Sequence, residues 1–151
     1  MASLLVLDSS VVISAGRPAE AAHADALAFL DRLRAASAAG LAEAFGPPEL
    51  WLEVYVAERR LATAGRSAPP SALAGLPVTL VAPTDEAAIT GFLDRLGART
   101  RGRRAFVNAT DLVYLWAAWA VDATVVTLDR GMLGYHGVVC DVTRPQHVRI
   151  V

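Results

Sequence analysis

The sequence predicts a layered α/β domain with a mainly parallel sheet. Two short apolar runs, Leu4-Leu5-Val6-Leu7 and Val125-Val126-Thr127-Leu128, are continuous rather than alternating. Runs of this kind suit strands buried on both faces of a parallel sheet. Each stops on a carboxylate, Asp8 or Asp129, and then turns. Around them, strand-like runs alternate with helical patterns, as crossover connections require. At 151 residues and 54% hydrophobic content, a single domain over 1–151 with a sizeable core is expected.

After the first strand, Asp8-Ser9-Ser10 is placed to cap a short helix through Ala15, and Gly16-Arg17-Pro18 breaks it. A long helix is predicted from about Ala19 to Ala39. Its apolar residues Ala22, Ala26, Leu30 and Leu33 keep helical spacing, and Gly40 ends it. A second strand covers Leu41 to Phe45. Gly46-Pro47-Pro48 then opens a helix, since proline is welcome in a first turn. That helix buries Leu50, Val54, Ala57 and Leu61 and ends near Gly65. Arg66 to Gly75 reads as a loop, and Val78 to Val81 as a third strand. Pro83-Thr84 is expected to cap a helix with the stripe Ile89, Phe92, Leu93 and Leu96. Gly97 to Val107 reads as a basic loop. Asn108 or Thr110 caps a helix that is apolar nearly all round, Leu112 to Val121, as a buried helix is. The Val125 strand follows, then a glycine-containing loop and a short strand over Val138 to Val142. The tail Val148 to Val151 is expected to add an edge strand.

Composition removes several functions. The formal charge is −1, so no global basic field announces nucleic acid. All 14 basic residues are Arg; without Lys there is no Walker-type phosphate loop. The single cysteine, Cys140, excludes an internal disulfide and a Cys-rich zinc site. No basic segment of the signal-peptide kind follows Met1, and the apolar run Leu112 to Val121 is too short to span a bilayer. A soluble cytoplasmic protein is expected.

The acids sort themselves by topology. Strands of a parallel sheet all end at one edge, and each crossover helix begins there. Glu49, Glu53, Asp85, Glu86 and Asp111 lie in or near first helical turns, so they join Asp8 and Asp129 at that edge. Asp31, Glu58, Asp94 and Asp122 go elsewhere. Each acid alone has an ordinary explanation: Asp8 as a helix cap, Asp111 in a capping arrangement with Asn108, Asp129 as a turn residue. Together, four separate segments bring like charges to one edge, and a hard divalent cation such as Mg²⁺ relieves their repulsion.

Four pieces of this pattern resemble the PIN domain, the fold of VapC-type ribonuclease toxins. "LLVLDSSVVIS" is similar to the family's opening strand with its Asp and following hydroxyl residue. "PPELWLEVYVAERR" is similar to the Pro-x-x-x-x-Glu helix start, with Glu53 in the acid position. "NATDLVYLWAAWAVDATVVTLDRGM" resembles the third acid, Asp111, on a helix leading to a Thr-x-Asp strand that ends at Asp129. The departures are an Arg-rich loop before Asp111 and a competing carboxylate, Glu49. The resemblance implies a three-layer α/β/α domain and Mg²⁺- or Mn²⁺-dependent cleavage of RNA. It makes Asp8, Asp111 and Asp129 the metal ligands, with Glu53 holding water or assisting proton transfer. Ser9, Asn108 and Thr127 are supporting residues that orient the acids or satisfy local backbone. It further implies a homodimer and a cognate antitoxin protein.

Arg99, Arg101, Arg103 and Arg104 crowd one loop, either as an RNA phosphate contact, for which Arg101, Arg103 and Arg104 are the candidates, or as a solvated connection. Trp116 and Trp119 read as core or dimer interface. His23, His136 and His147 receive no catalytic role. The rival reading is a PIN-like RNA-binding or scaffold module without catalysis. A haloacid-dehalogenase-type phosphotransferase needs a second Asp where Ser10 stands, and a phospho-receiver needs a Lys.

Overall fold

The strand that carries Asp8 is the middle of the sheet. In the computed structural model, which describes residues 2–65, 72–100 and 109–150, β1 (Ser3–Leu7) is flanked on one side by β2 (Ala42–Gly46) and β3 (Val78–Leu80). On the other side lie β4 (Thr124–Val126) and β5 (Val142–Thr143). The order is β3-β2-β1-β4-β5 and every pairing is parallel. Leu5, Val6 and Leu7 are all buried. Because neighbouring residues of a strand point to opposite faces, both faces of the sheet are covered. Val125 and Val126 repeat this on β4.

The helices are α1 (Ser9–Ala15), α2 (His23–Ala38), α3 (Pro48–Thr63), α4 (Glu86–Arg99), α5 (Ala109–Val121) and α6 (Arg130–Leu133). α2 packs on β2 and α1, and α1 also packs on α3. α5 lies across β1, β2 and β4, with α4 behind it. Tyr114, Leu115, Trp116, Ala117 and Ala118 of α5 are buried in succession, which is why that helix is apolar all round. α2 ends as Gly40 suggests. Gly40 takes φ 71°, its N–H donates to Ser37, and the Leu41 N–H donates to Ala36 at 2.8 Å. This Schellman closure aims the chain directly into β2.

Several expected boundaries differ. α2 starts at His23, because turns occupy Pro18 to Ala22. α4 is capped by Asp85, whose carboxylate accepts from the Ala88 N–H at 2.7 Å, not by Pro83-Thr84. α4 also runs through Gly97 to Arg99, where the Thr100 hydroxyl donates to the Leu96 carbonyl at 2.7 Å. The last strand is confined to Val142–Thr143, since Val138 sits in a turn closed onto Tyr135. The tail adds no strand over Val148–Ile150. A 3-10 turn at Pro145–His147 precedes it, and Val148 is buried against the core instead.

Candidate active site

The chain runs from β1 outward through β2 to β3, then returns to start β4 on the other side of β1. The reversal leaves a crevice at the carboxyl ends of β1 and β4, the place where open parallel sheets bind ligands. Asp8 follows β1 and its N–H donates to the Val126 carbonyl at 3.0 Å. Thr127 and Asp129 follow β4. The two acids that end the apolar runs therefore flank one crevice.

Asp8 is 5% exposed. It stands at the N-cap position of α1, yet its side chain makes no capping bond. Its carboxylate turns toward β4 instead. Oδ2 accepts from the Thr127 hydroxyl at 2.6 Å and from the Ser10 hydroxyl by a very short bond. Ser10 Oγ in turn accepts from the Leu128 N–H at 3.0 Å, and Thr127 Oγ1 from the Asp129 N–H at 2.9 Å. Two hydroxyls thus tie the β1 end to the β4 end through one carboxylate oxygen. Asp129 does cap its helix: Oδ1 accepts from the Met132 N–H at 2.9 Å.

The remaining acids arrive on helices. Asp111 lies in the first turn of α5, and Glu53 near the start of α3. Burial pushes the Asp8 carboxyl above its usual range; the Ser10 and Thr127 bonds counter this, and the charges of Glu53 and Asp129 add to it. Burial likewise raises Asp111, with the charges of Asp129, Asp8 and Glu53 contributing. Asp8, Glu53, Asp111 and Asp129 thus form one electrostatic cluster. Glu49, Asp85 and Glu86 are not among the charges acting on Asp8 or Asp111. For Asp85 and Glu86 the reason is position. They follow β3, two strands or roughly 10 Å from β1.

Glu53 has a partner that sequence reading missed. The Tyr114 hydroxyl, on α5, donates to Glu53 Oε2 at 2.6 Å. The hydroxyl that serves Asp8 is that of Ser10, not the expected Ser9. Ser10 was legible only as one of two serines after Asp8. Tyr114, three residues after Asp111, looked like one more apolar residue of a buried helix. Glu49 Oε2, by contrast, is buried with no hydrogen-bond partner among the described residues.

Arg101, Arg103, Arg104 and Asn108 lie outside the described residues. Arg99 is described: its guanidinium donates to the Val138 carbonyl at 2.9 Å. Trp116 is buried and Trp119 packs on Phe92 with ring centroids 5.8 Å apart, so both contribute to the core. An open groove of about 530 Å³ leads away from Asp129 and Ser10 past Ser14, Glu20 and Ala21. Among the described residues, no three His, Cys, Asp or Glu side chains converge closely enough to enclose an ion as they lie. The donor set is nonetheless all carboxylate, the type that hard divalent ions take.

No family model matches the sequence, and no curated protein does either. Solved structures do match, over nearly the whole chain. One is VapBC2 from Rickettsia felis bound to a DNA fragment from its promoter. There the identity is 12%, the TM-score 0.59, and the match covers 93% of this chain and 98% of that one. The chain has this fold. The second is FitAB bound to an IR36 DNA fragment, with 18% identity, a TM-score of 0.53 and coverage of 96% and 97%. The three-layer PIN-type architecture is thus shared from end to end, although few residues are.

Proposed function

We propose that this chain is a metal-dependent endoribonuclease and the toxin of a toxin–antitoxin pair. One observation carries the reading: four carboxylates from four separate segments, Asp8, Glu53, Asp111 and Asp129, form one electrostatic cluster at the crevice between β1 and β4. Packing alone gives no reason to gather like charges where burial and neighbouring carboxylates push two of them above their usual range. Asp8, Asp111 and Asp129 would hold Mg²⁺ or Mn²⁺. When bound, that ion supplies an activated water and stabilises charge on the leaving oxygen. Ser10 and Thr127 keep Asp8 fixed by holding one of its oxygens. Glu53 stands beside the metal-binding acids to orient water or accept its proton. Arg101, Arg103 and Arg104 would meet RNA phosphates on the way into α5.

The partner assignment is supported by the similar structures, which are the VapBC2 and FitAB complexes. An antitoxin partner would insert a segment near the acidic crevice, as the family resemblance implies. A homodimer and a cytoplasmic location belong to the same proposal.

The experiment is cleavage of a structured RNA pool by the purified chain, with Mg²⁺ and then with EDTA. Metal-dependent cutting that disappears in Asp8→Asn supports the proposal, and undiminished cutting in EDTA refutes it. The second reading, a PIN-like RNA-binding or scaffold module, is favoured by the lack of three converging metal ligands among the described residues. It predicts RNA binding with no cleavage at any metal concentration.

A further inference from the structure

We infer that Tyr114 is the positioning residue for Glu53: its hydroxyl, rather than its ring, holds that glutamate in the acidic cluster. The inference rests on the nuclease reading for its catalytic consequence, but on geometry for the pairing itself.

Tyr114 is 1% exposed, and its phenol donates to Glu53 Oε2 at 2.6 Å across a separation of 61 residues. A buried phenol needs a partner, and a carboxylate is the strongest acceptor available. Tyr114 sits one turn after Asp111 on the buried face of α5. One hydroxyl thus joins the helices that carry Glu53 and Asp111. Burial, and then the bond to Glu53, hold the phenol above its usual titration range, so it stays a donor.

The pairing answers a problem of the cluster. Glu53 has one more side-chain torsion than an aspartate, and like charges on Asp8 and Asp111 push it outward. An exposed glutamate in that field would swing to solvent. A short, charge-assisted bond from a rigid ring restrains it where a water must be oriented. A phenylalanine at position 114 would fill the same space and leave the carboxylate to wander.

The test is Tyr114→Phe, in two arms. In the first, three-bond couplings of the Glu53 side chain are measured without metal or RNA. We expect one rotamer in the parent protein and averaging among rotamers in Tyr114→Phe; unchanged couplings overturn the inference. This arm stands even if the protein cuts no RNA. In the second, kcat should fall roughly 10- to 100-fold, as is usual when a supporting partner of a metal site is removed, with KM for RNA changed less than twofold. In a Glu53→Gln background the same substitution should cost nothing further. Losses that multiply, or a rise in KM alone, overturn it. Should Tyr114→Phe fail to fold, Glu53→Gln supplies the first arm. The slowly exchanging hydroxyl proton of Tyr114 should move upfield when its acceptor becomes neutral, and an unmoved resonance overturns the pairing.

Discussion

At Asp8 the side chain gives up an ordinary capping role and ties the end of β1 to the end of β4 instead. An aspartate at an N-cap usually bonds its own helix; here both hydroxyl bonds to Oδ2 come from Ser10 and Thr127. Asparagine can present its carbonyl oxygen to the same two donors, so Asp8→Asn should fold normally while losing metal-dependent cleavage. Its stability has a predictable pH dependence. The folded-state pKa of Asp8 is raised above the ordinary 3.8, chiefly by burial. The ionised form therefore costs the folded state stability. That cost is full above the raised value and absent below the ordinary one. Asp8→Asn should gain stability relative to the parent at pH 7, and the gain should shrink as pH falls toward 3.8. Chemical denaturation at several pH values measures this, and a difference that grows toward acid contradicts it. Ser10→Ala has the opposite sign. It removes a donor to Asp8 and leaves the Leu128 N–H without its acceptor. It should cost about 1–2 kcal/mol and roughly 10-fold or more in cleavage.

At the scale of the element, α3 offers two glutamates one turn apart. Leu50, Val54 and Ala57 set its buried face. Glu49 and Glu53 both flank that face, separated by about 6 Å along the axis. Only Glu53 is paired with Tyr114 and counted among the charges on Asp8 and Asp111. Glu53→Gln should therefore lose far more cleavage than Glu49→Gln; parallel kinetics decide it, and the reverse order would exclude Glu53 from the site. Glu49→Gln should instead be read for stability, since Glu49 Oε2 is buried without a partner among the described residues and a neutral amide is less costly to bury than a carboxylate.

At the scale of the molecule, the sheet order makes the site. Placing β4 beside β1 while the chain builds outward on the other side opens the crevice that Asp8 and Asp129 flank. An acidic crevice repels RNA, so attraction must come from elsewhere in the chain. Replacing Arg101, Arg103 and Arg104 with Gln should weaken RNA binding and flatten its salt dependence by roughly 0.7 in slope for each lost phosphate contact. The rate at saturating RNA should change less. Binding titrations across salt concentrations measure the slope; an unchanged slope makes the loop a solvated connection.

The sequence by itself determined the elements and the acids that end or begin them. Continuous apolar runs marked the buried parallel strands, and Gly40 and the Gly46-Pro47-Pro48 break marked helix ends, because these signals are local. From them followed the edge that receives Asp8, Glu53, Asp111 and Asp129. The weak points were signals too short or too permissive to be decisive. Val138 to Val142 is apolar enough for a strand, yet a turn closes most of it. Pro83-Thr84 resembles a cap, yet Asp85 has the better acceptor. Only the tertiary structure decided which of two neighbours is used: Ser10 rather than Ser9 on Asp8, Glu53 rather than Glu49 in the cluster, and Tyr114 as a polar residue of a buried helix. Each choice depends on a partner far along the chain, Thr127 for Asp8 and Tyr114 for Glu53. Periodicity fixes which face of an element is buried. The height and rotation at which two elements meet are fixed by packing between them, and no local pattern encodes that.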